Sequence, residues 1–211
     1  TVVELTNTLL PGIDPDCVKV VEKTLTKRGA TVLKGARAEK YEPTPDGSLA
    51  VHVSAEGKTQ KVECDVVLVA VGMKPRSKDI GLEQVGVNID QRGFVPTNEL
   101  CETNVKGIYA IGDVSGVPML AHRAMAQGEM VAEIIAGNRR SWDQRCIPAV
   151  CFTDPEIVTA GLGPEEARQT GREVRIGQFP FTANGRAMTL AAEDGFVRIV
   201  ARVDNHVVLG I

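Results

Sequence analysis

Six consecutive apolar residues, Val66-Val67-Leu68-Val69-Ala70-Val71, run without a polar side chain and stop at Gly72. A half-exposed strand or a surface helix needs polar positions at regular intervals, so this run reads as a strand covered on both faces. A second run, Ile108-Tyr109-Ala110-Ile111, ends the same way, on Gly112-Asp113. Strands covered on both faces belong to layered α/β architectures. The fold class expected from these two runs is therefore α/β.

Composition bounds what such a fold is used for. Hydrophobic residues are 43% and charged residues 24%, an ordinary globular balance, and the net charge of -3 gives no reason to expect a nucleic-acid partner. No apolar run approaches the ~18 residues of a membrane span. The five cysteines are widely spaced and odd in number, which argues against a secreted disulfide framework. The 211 residues begin with Thr1-Val2-Val3-Glu4 rather than Met and end inside the apolar run Val207-Val208-Leu209-Gly210-Ile211. A piece of a longer polypeptide is expected.

Around the two runs the elements follow from local signals. Thr1 to Val3 reads as a strand tail. Asp14-Pro15-Asp16 starts a helix with apolar Val18, Val21 and Leu25, closed by Lys27-Arg28-Gly29. Thr31 to Leu33 is a short strand. Residues 37–42, 49–55 and 58–63 form a meander turning at Pro45-Asp46-Gly47 and Glu56-Gly57. Residues 73–107 read as a crossover with short strands. Residues 120–136 form a helix whose stripe is Ala124, Gly128, Val131 and Ile135, stopped by Gly137. Residues 138–146 read as a linker. Beyond Ile147, strands are expected at 157–162, 174–179 and 196–201, with a helix over 164–170 and a turn at Asp204-Asn205. That mixture is α+β.

Few residues have the placing that chemistry needs. Glu4 stands at the carboxyl end of a strand. In a dinucleotide-binding βαβ unit an acid there holds the adenosine ribose hydroxyls and selects NAD over NADP, and the glycine fingerprint lies about 20 residues upstream. An exposed loop glutamate is the competing reading. Asp113 sits at the carboxyl edge of the second apolar run, where α/β folds bind ligands, after a glycine that permits close approach. It could equally cap a turn. Pro118-Met119-Leu120-Ala121-His122-Arg123-Ala124 opens a helix, and free N–H groups there can face an electron-rich ring. His122 could also be an ordinary boundary histidine. Cys146 and Cys151 have redox-like spacing, but the extended Ile147-Pro148-Ala149-Val150 between them lacks the helix start and positive surroundings that activate a thiol. They read as structural thiols. No Cys/His cluster has metal spacing.

Taken together, these motifs resemble the pyridine nucleotide–disulfide oxidoreductases. Residues 108–114 with 118–124 resemble that family's second FAD motif. Residues 66–72 with Pro75 resemble the return from its NAD domain to its FAD domain. Thr153-Asp154-Pro155-Glu156 and residues 179–187 resemble the start of its interface domain. Met119-Leu120-Ala121-His122 and Asn184-Gly185-Arg186-Ala187 favour the dihydrolipoamide dehydrogenases over glutathione and mercuric reductases. Residues 151–155 and 202–206 look closest to the form serving branched-chain 2-oxo-acid dehydrogenase complexes. Met73-Lys74 departs from the pattern, which usually has two Arg there.

The resemblance implies three partial domains: the carboxyl part of an NAD-binding domain (1–74), the returning segment of an FAD-binding domain (75–145) and the first half of an interface or dimerisation domain (146–211). It implies NAD contacts from Glu4, Ala38 and Gly72. Asp113 would bind the FAD ribityl and pyrophosphate region, and the backbone of Met119, Leu120, Ala121 and His122 would approach the isoalloxazine ring. The whole enzyme would be a cytoplasmic homodimer reoxidising dihydrolipoamide on an acyltransferase subunit. Its redox cysteine pair and its His-Glu pair would lie outside this chain, so the 211 residues alone are expected to be inactive. The alternatives are another member of the family, including a soluble transhydrogenase, or a binding or dimerisation module without catalysis.

Overall fold

The computed structural model describes residues 1–211 and divides into two compact units. The first comprises Thr1–Val69 and Pro148–Ile211, the second Ala70–Ile147.

In the first unit, strand β1 (Val2–Val3) pairs in parallel with β2 (Val32–Leu33) through helix α1 (Pro15–Lys27), a β-α-β unit. The helix begins where the sequence places it. Asp14 accepts from the Asp16 N–H at 2.9 Å, and Pro15 occupies the first turn, where a missing donor costs nothing. Val18, Val21 and Thr24 form its buried side. Strands β3 (Ala36–Pro43), β4 (Leu49–Ala55) and β5 (Lys58–Cys64) follow as the expected meander, antiparallel in that order. At the β4–β5 turn both Glu56 and Gly57 have positive φ, the backbone twist that matches a tight hairpin.

The rest of the first unit holds β6 (Ala149–Cys151) with β7 (Ile157–Thr159), helix α3 (Pro164–Gln169), β8 (Val174–Pro180), helix α4 (Gly185–Thr189), β9 (Phe196–Arg202) and β10 (Val208–Gly210). The sheet order is β10-β9-β8. The strand expected over 157–162 ends at Thr159, and Gly161 continues it as an isolated bridge to Gly210. A Cβ on Gly161 would lie 2.2 Å from the Leu209 carbonyl, and one on Gly210 would lie 2.1 Å from that of Leu162. Two side chains fewer is what lets these backbones meet.

Helix α1 is tied to β9 by charge. Arg198, only 14% exposed, reaches Asp14 at 2.9 Å and Asp16 at 2.6 Å, and its guanidinium lies 4.8 Å from the Phe196 ring centre. Asp14 thus caps α1 with one oxygen and holds β9 with the other.

The run 66–71 does not become a strand. None of its residues makes a backbone hydrogen bond, and Val66, Leu68 and Val71 are 79%, 88% and 92% exposed. A strand covered on both faces needs neighbours on both edges and both faces, and no segment of the described chain supplies them.

The second unit is mostly loop and turn around one long helix, α2 (Ala121–Ile135). The short strands expected within 73–107 are absent; side chains hold these turns instead. Asn104 accepts from the Asn88 N–H and donates to the Gly86 carbonyl, and Ser77 donates to the Gly93 carbonyl. The run 108–111 has a single bridge, Tyr109 to Glu102, yet it is covered on both sides. Ile108 and Ala110 pack into a cluster with Val87 and Val95, while Tyr109 and Ile111 pack into another with Cys101, Met130 and Val131. The stripe expected on α2 holds at Val131, which is buried, and at Ala124 and Gly128, which are half-buried, but not at Ile135. Arg123, Gln127, Met130 and Val131 are buried, whereas Ile135 is exposed. The helix is turned by its polar residues, which reach the loop before it.

Two outcomes test this packing. Gly161→Ala should lower the urea unfolding free energy by about 1–3 kcal/mol, the usual cost of a strained backbone position; an unchanged midpoint contradicts the close approach. The Asp16 carboxyl is held below its ordinary value, first by its hydrogen bond from Arg198 and then by Lys19. A depressed carboxylate adds stability above its unfolded pKa and loses it as pH falls through the folded value. The stability gap between the protein and Asp16→Asn should therefore be open at neutral pH and close below about pH 4.

Candidate functional site

The site is built around Gly112, which has φ +66° and closes the second apolar run. A Cβ there would lie 2.7 Å from the Cβ of Ala124, so only glycine lets the loop lie against α2. Two buried side chains of α2, one turn apart, grip this residue from opposite sides. The Gly112 N–H donates to Gln127 Oε1 at 2.8 Å, and its carbonyl accepts from Arg123 Nη1 at 3.2 Å. Arg123 also donates to the carbonyls of Gly116 (2.8 Å) and Pro118 (3.3 Å) and to Ser115 Oγ (3.2 Å). Residues 112–118 are thus folded around one guanidinium.

Asp113 is presented by the 3-10 turn Gly112–Ser115. It is exposed, and its carboxylate has no hydrogen bond or ion pair within the chain. The loop runs directly into the start of α2. Leu120 stands at the N-cap position and has no side-chain cap to offer. Met119 and Leu120 are half-buried, and Ala121 and His122 are exposed. An acceptor-only carboxylate and the donor end of a helix are therefore set on one clamped loop. That pairing suits a ligand with hydroxyls at one end and an electron-rich group at the other.

Glu4 lies in the first unit, just past β1. Its N–H donates to the Leu33 carbonyl and its own carbonyl accepts from Ala36, so its backbone joins the ends of β1, β2 and β3. The side-chain Oε1 accepts from the Thr6 N–H at 2.7 Å, and this bond is the main cause holding the carboxyl below its ordinary value. Glu4 is ionised at neutral pH, with its second oxygen available. Ala38 lies on β3 beside an irregularity between Ala38 and Lys40, with its surface exposed. Gly72 belongs to the second unit; it is exposed, with φ +112° and open space where a Cβ would stand.

The sequence reading named Asp113 and residues 119–122 but missed Arg123 and Gln127, which hold them in place. The signal was present: two long polar side chains four residues apart on a stripe otherwise small or apolar. All five cysteines are free thiols, and burial is the chief cause raising the Cys17 and Cys101 thiols above their ordinary value. No group of three or more His, Cys, Asp or Glu is placed to hold a metal, and no helix is long and apolar enough to cross a membrane.

Residues 1–128 match the pyridine nucleotide-disulphide oxidoreductase family, and residues 147–211 match the dimerisation domain of the same family. The chain belongs to the pyridine nucleotide-disulphide oxidoreductases. Its α/β fold class, followed by interface-domain α+β structure, is that of the family. A dihydrolipoyl dehydrogenase of Pseudomonas aeruginosa is 49% identical over 99% of this chain. One from Thermus scotoductus is 40% identical over 100% of it. The crystal structure of LpdA from Mycobacterium tuberculosis superimposes with a TM-score of 0.87 at 29% identity, over 99% of this chain. The chain spans 44% to 46% of the length of these relatives.

Gln127→Leu tests how the site is built. It leaves the Gly112 N–H buried without an acceptor, which should cost about 1–3 kcal/mol. Amide exchange at Gly112 should speed up with it, and exchange unchanged from wild type contradicts the assignment.

Proposed function

We propose that the whole protein is an NAD-linked, flavin-containing dihydrolipoyl dehydrogenase, to which this chain contributes parts of the NAD, FAD and interface domains, within residues 1–74, 75–145 and 146–211. The observation that carries the flavin reading is the unpartnered Asp113 carboxylate on the loop clamped by Arg123, beside the start of α2. The residues present fit FAD. Asp113 would accept hydrogen bonds from the ribityl hydroxyls next to the pyrophosphate. The backbone of Met119, Leu120, Ala121 and His122 would approach the isoalloxazine ring from the helix start.

When bound, FAD supplies two-electron chemistry between a dithiol and NAD. The residues of this chain bind and orient. Glu4, with its charge fixed by the Thr6 N–H, would hold the NAD ribose and repel a 2′-phosphate. Gly72, with no side chain, and Ala38, with a small one, would line the same nucleotide. The net reaction converts dihydrolipoamide and NAD⁺ to lipoamide, NADH and a proton. The substrate class rests on the curated relatives, which are named dihydrolipoyl dehydrogenases. The dimerisation segment supports a homodimer; the protein proposed to present the lipoyl group to that dimer is an acyltransferase subunit of a 2-oxo-acid dehydrogenase complex. The cytoplasm is the compartment proposed.

The direct test is dihydrolipoamide-dependent reduction of NAD by the full-length protein. Turnover with dihydrolipoamide and NAD, and much less with NADP, is expected. Glu4→Ala should raise the KM for NAD about tenfold while leaving kcat nearly unchanged. Reduction of glutathione disulfide or Hg(II) without dihydrolipoamide turnover would contradict the proposal.

A further inference from the structure

We propose that Arg123 is a positioning residue for the flavin, setting the Asp113 carboxylate and the first turn of α2 in fixed relation. The inference rests on the flavin reading above and adds a residue that does not touch the ligand.

Arg123 is 8% exposed, and its side chain donates to three backbone carbonyls and one hydroxyl. Ion pairs form elsewhere in the chain, but none includes Arg123. Burying a cation without a carboxylate is costly, and an apolar side chain of similar volume would fill the same space more cheaply. Packing alone therefore does not account for an arginine here. The geometry of its bonds does. Every acceptor lies within the seven residues 112–118, and the donor belongs to the first turn of the helix that follows. The side chain thus reaches back from the helix start to the loop that carries Asp113. A planar fork of donors can satisfy several carbonyls at once, which an ammonium on a flexible stem does poorly.

Gln127 completes the arrangement by holding the Gly112 N–H while Arg123 holds the Gly112 carbonyl. The peptide units on both sides of Gly112 are fixed, and Asp113 is the next residue. Without the guanidinium, the Gly116 and Pro118 carbonyls lose its hydrogen bonds, the Gly112 carbonyl keeps only the one from Ser115 Oγ, and Asp113 samples many positions relative to α2. Ligand binding would then have to order the loop, at a cost in affinity. The charge acts in the same sense, because an uncompensated cation behind the loop favours an anionic ligand.

The test uses the full-length holoenzyme, stripped of flavin and retitrated with FAD while flavin fluorescence is followed. Arg123→Met should weaken FAD binding by more than about tenfold. Arg123→Lys, which keeps the charge but spans fewer carbonyls, should fall between the two and unfold close to the wild-type midpoint. Because Arg123 acts through Asp113, the double variant with Asp113→Asn should bind FAD no more than about twofold more weakly than the weaker single variant. Full multiplication of the two effects would overturn the positioning role, as would wild-type affinity in Arg123→Met. If Arg123→Met does not fold, Arg123→Lys decides: reduced affinity supports the role and wild-type affinity overturns it. A wild-type apoprotein that takes up no FAD would overturn the flavin reading itself, and this inference with it.

Discussion

One buried guanidinium organises the second unit. Arg123 has no carboxylate beside it and meets its hydrogen-bonding need from the carbonyls of Gly112, Gly116 and Pro118. The loop has to close around the side chain for that need to be met. The same closure turns α2 so that Arg123 and Gln127 face inward, and it brings Gly112 against Ala124. The position of Asp113, the start of α2 and the face that the helix buries all follow from it.

The first unit depends on a different economy of space and charge. Gly161 and Gly210 let two antiparallel backbones pair where any side chain would collide. Arg198 joins the cap of α1 to β9, so the helix that follows Glu4 in the chain is tied to the sheet of the dimerisation segment. Such a pair is worth more than the surrounding surface ion pairs because both Arg198 and Asp14 are largely shielded from water.

Elements whose signals are local were legible in the sequence. Asp14-Pro15 starts α1, and the turn at Glu56-Gly57 sets the β4–β5 hairpin; neither needs distant partners. The run 66–71 shows the limit. Its composition says what kind of strand it can be, but pairing is a non-local property, and no segment of the described chain pairs with it. The run 108–111 lies between these cases, covered on both faces with only one bridge. On α2 the stripe Ala124, Gly128 and Val131 follows from local spacing, whereas the burial of Arg123 and Gln127 beside it does not, because their partners lie in a loop. Motif order alone singles out Asp113 and residues 119–122 as candidates, whereas the clamp on residues 112–118 depends on contacts across the loop that spacing alone does not reveal.

We propose that residues 112–122 form a preset flavin-binding corner held by Arg123. A crystal structure of the full-length protein with FAD bound tests it most directly. The expected result is the Asp113 carboxylate accepting a hydrogen bond from a ribityl hydroxyl, the start of α2 facing the ring system, and Arg123 still donating to Gly112, Gly116 and Pro118. A flavin bound elsewhere, or Arg123 swung out of the loop to contact it, would contradict the account.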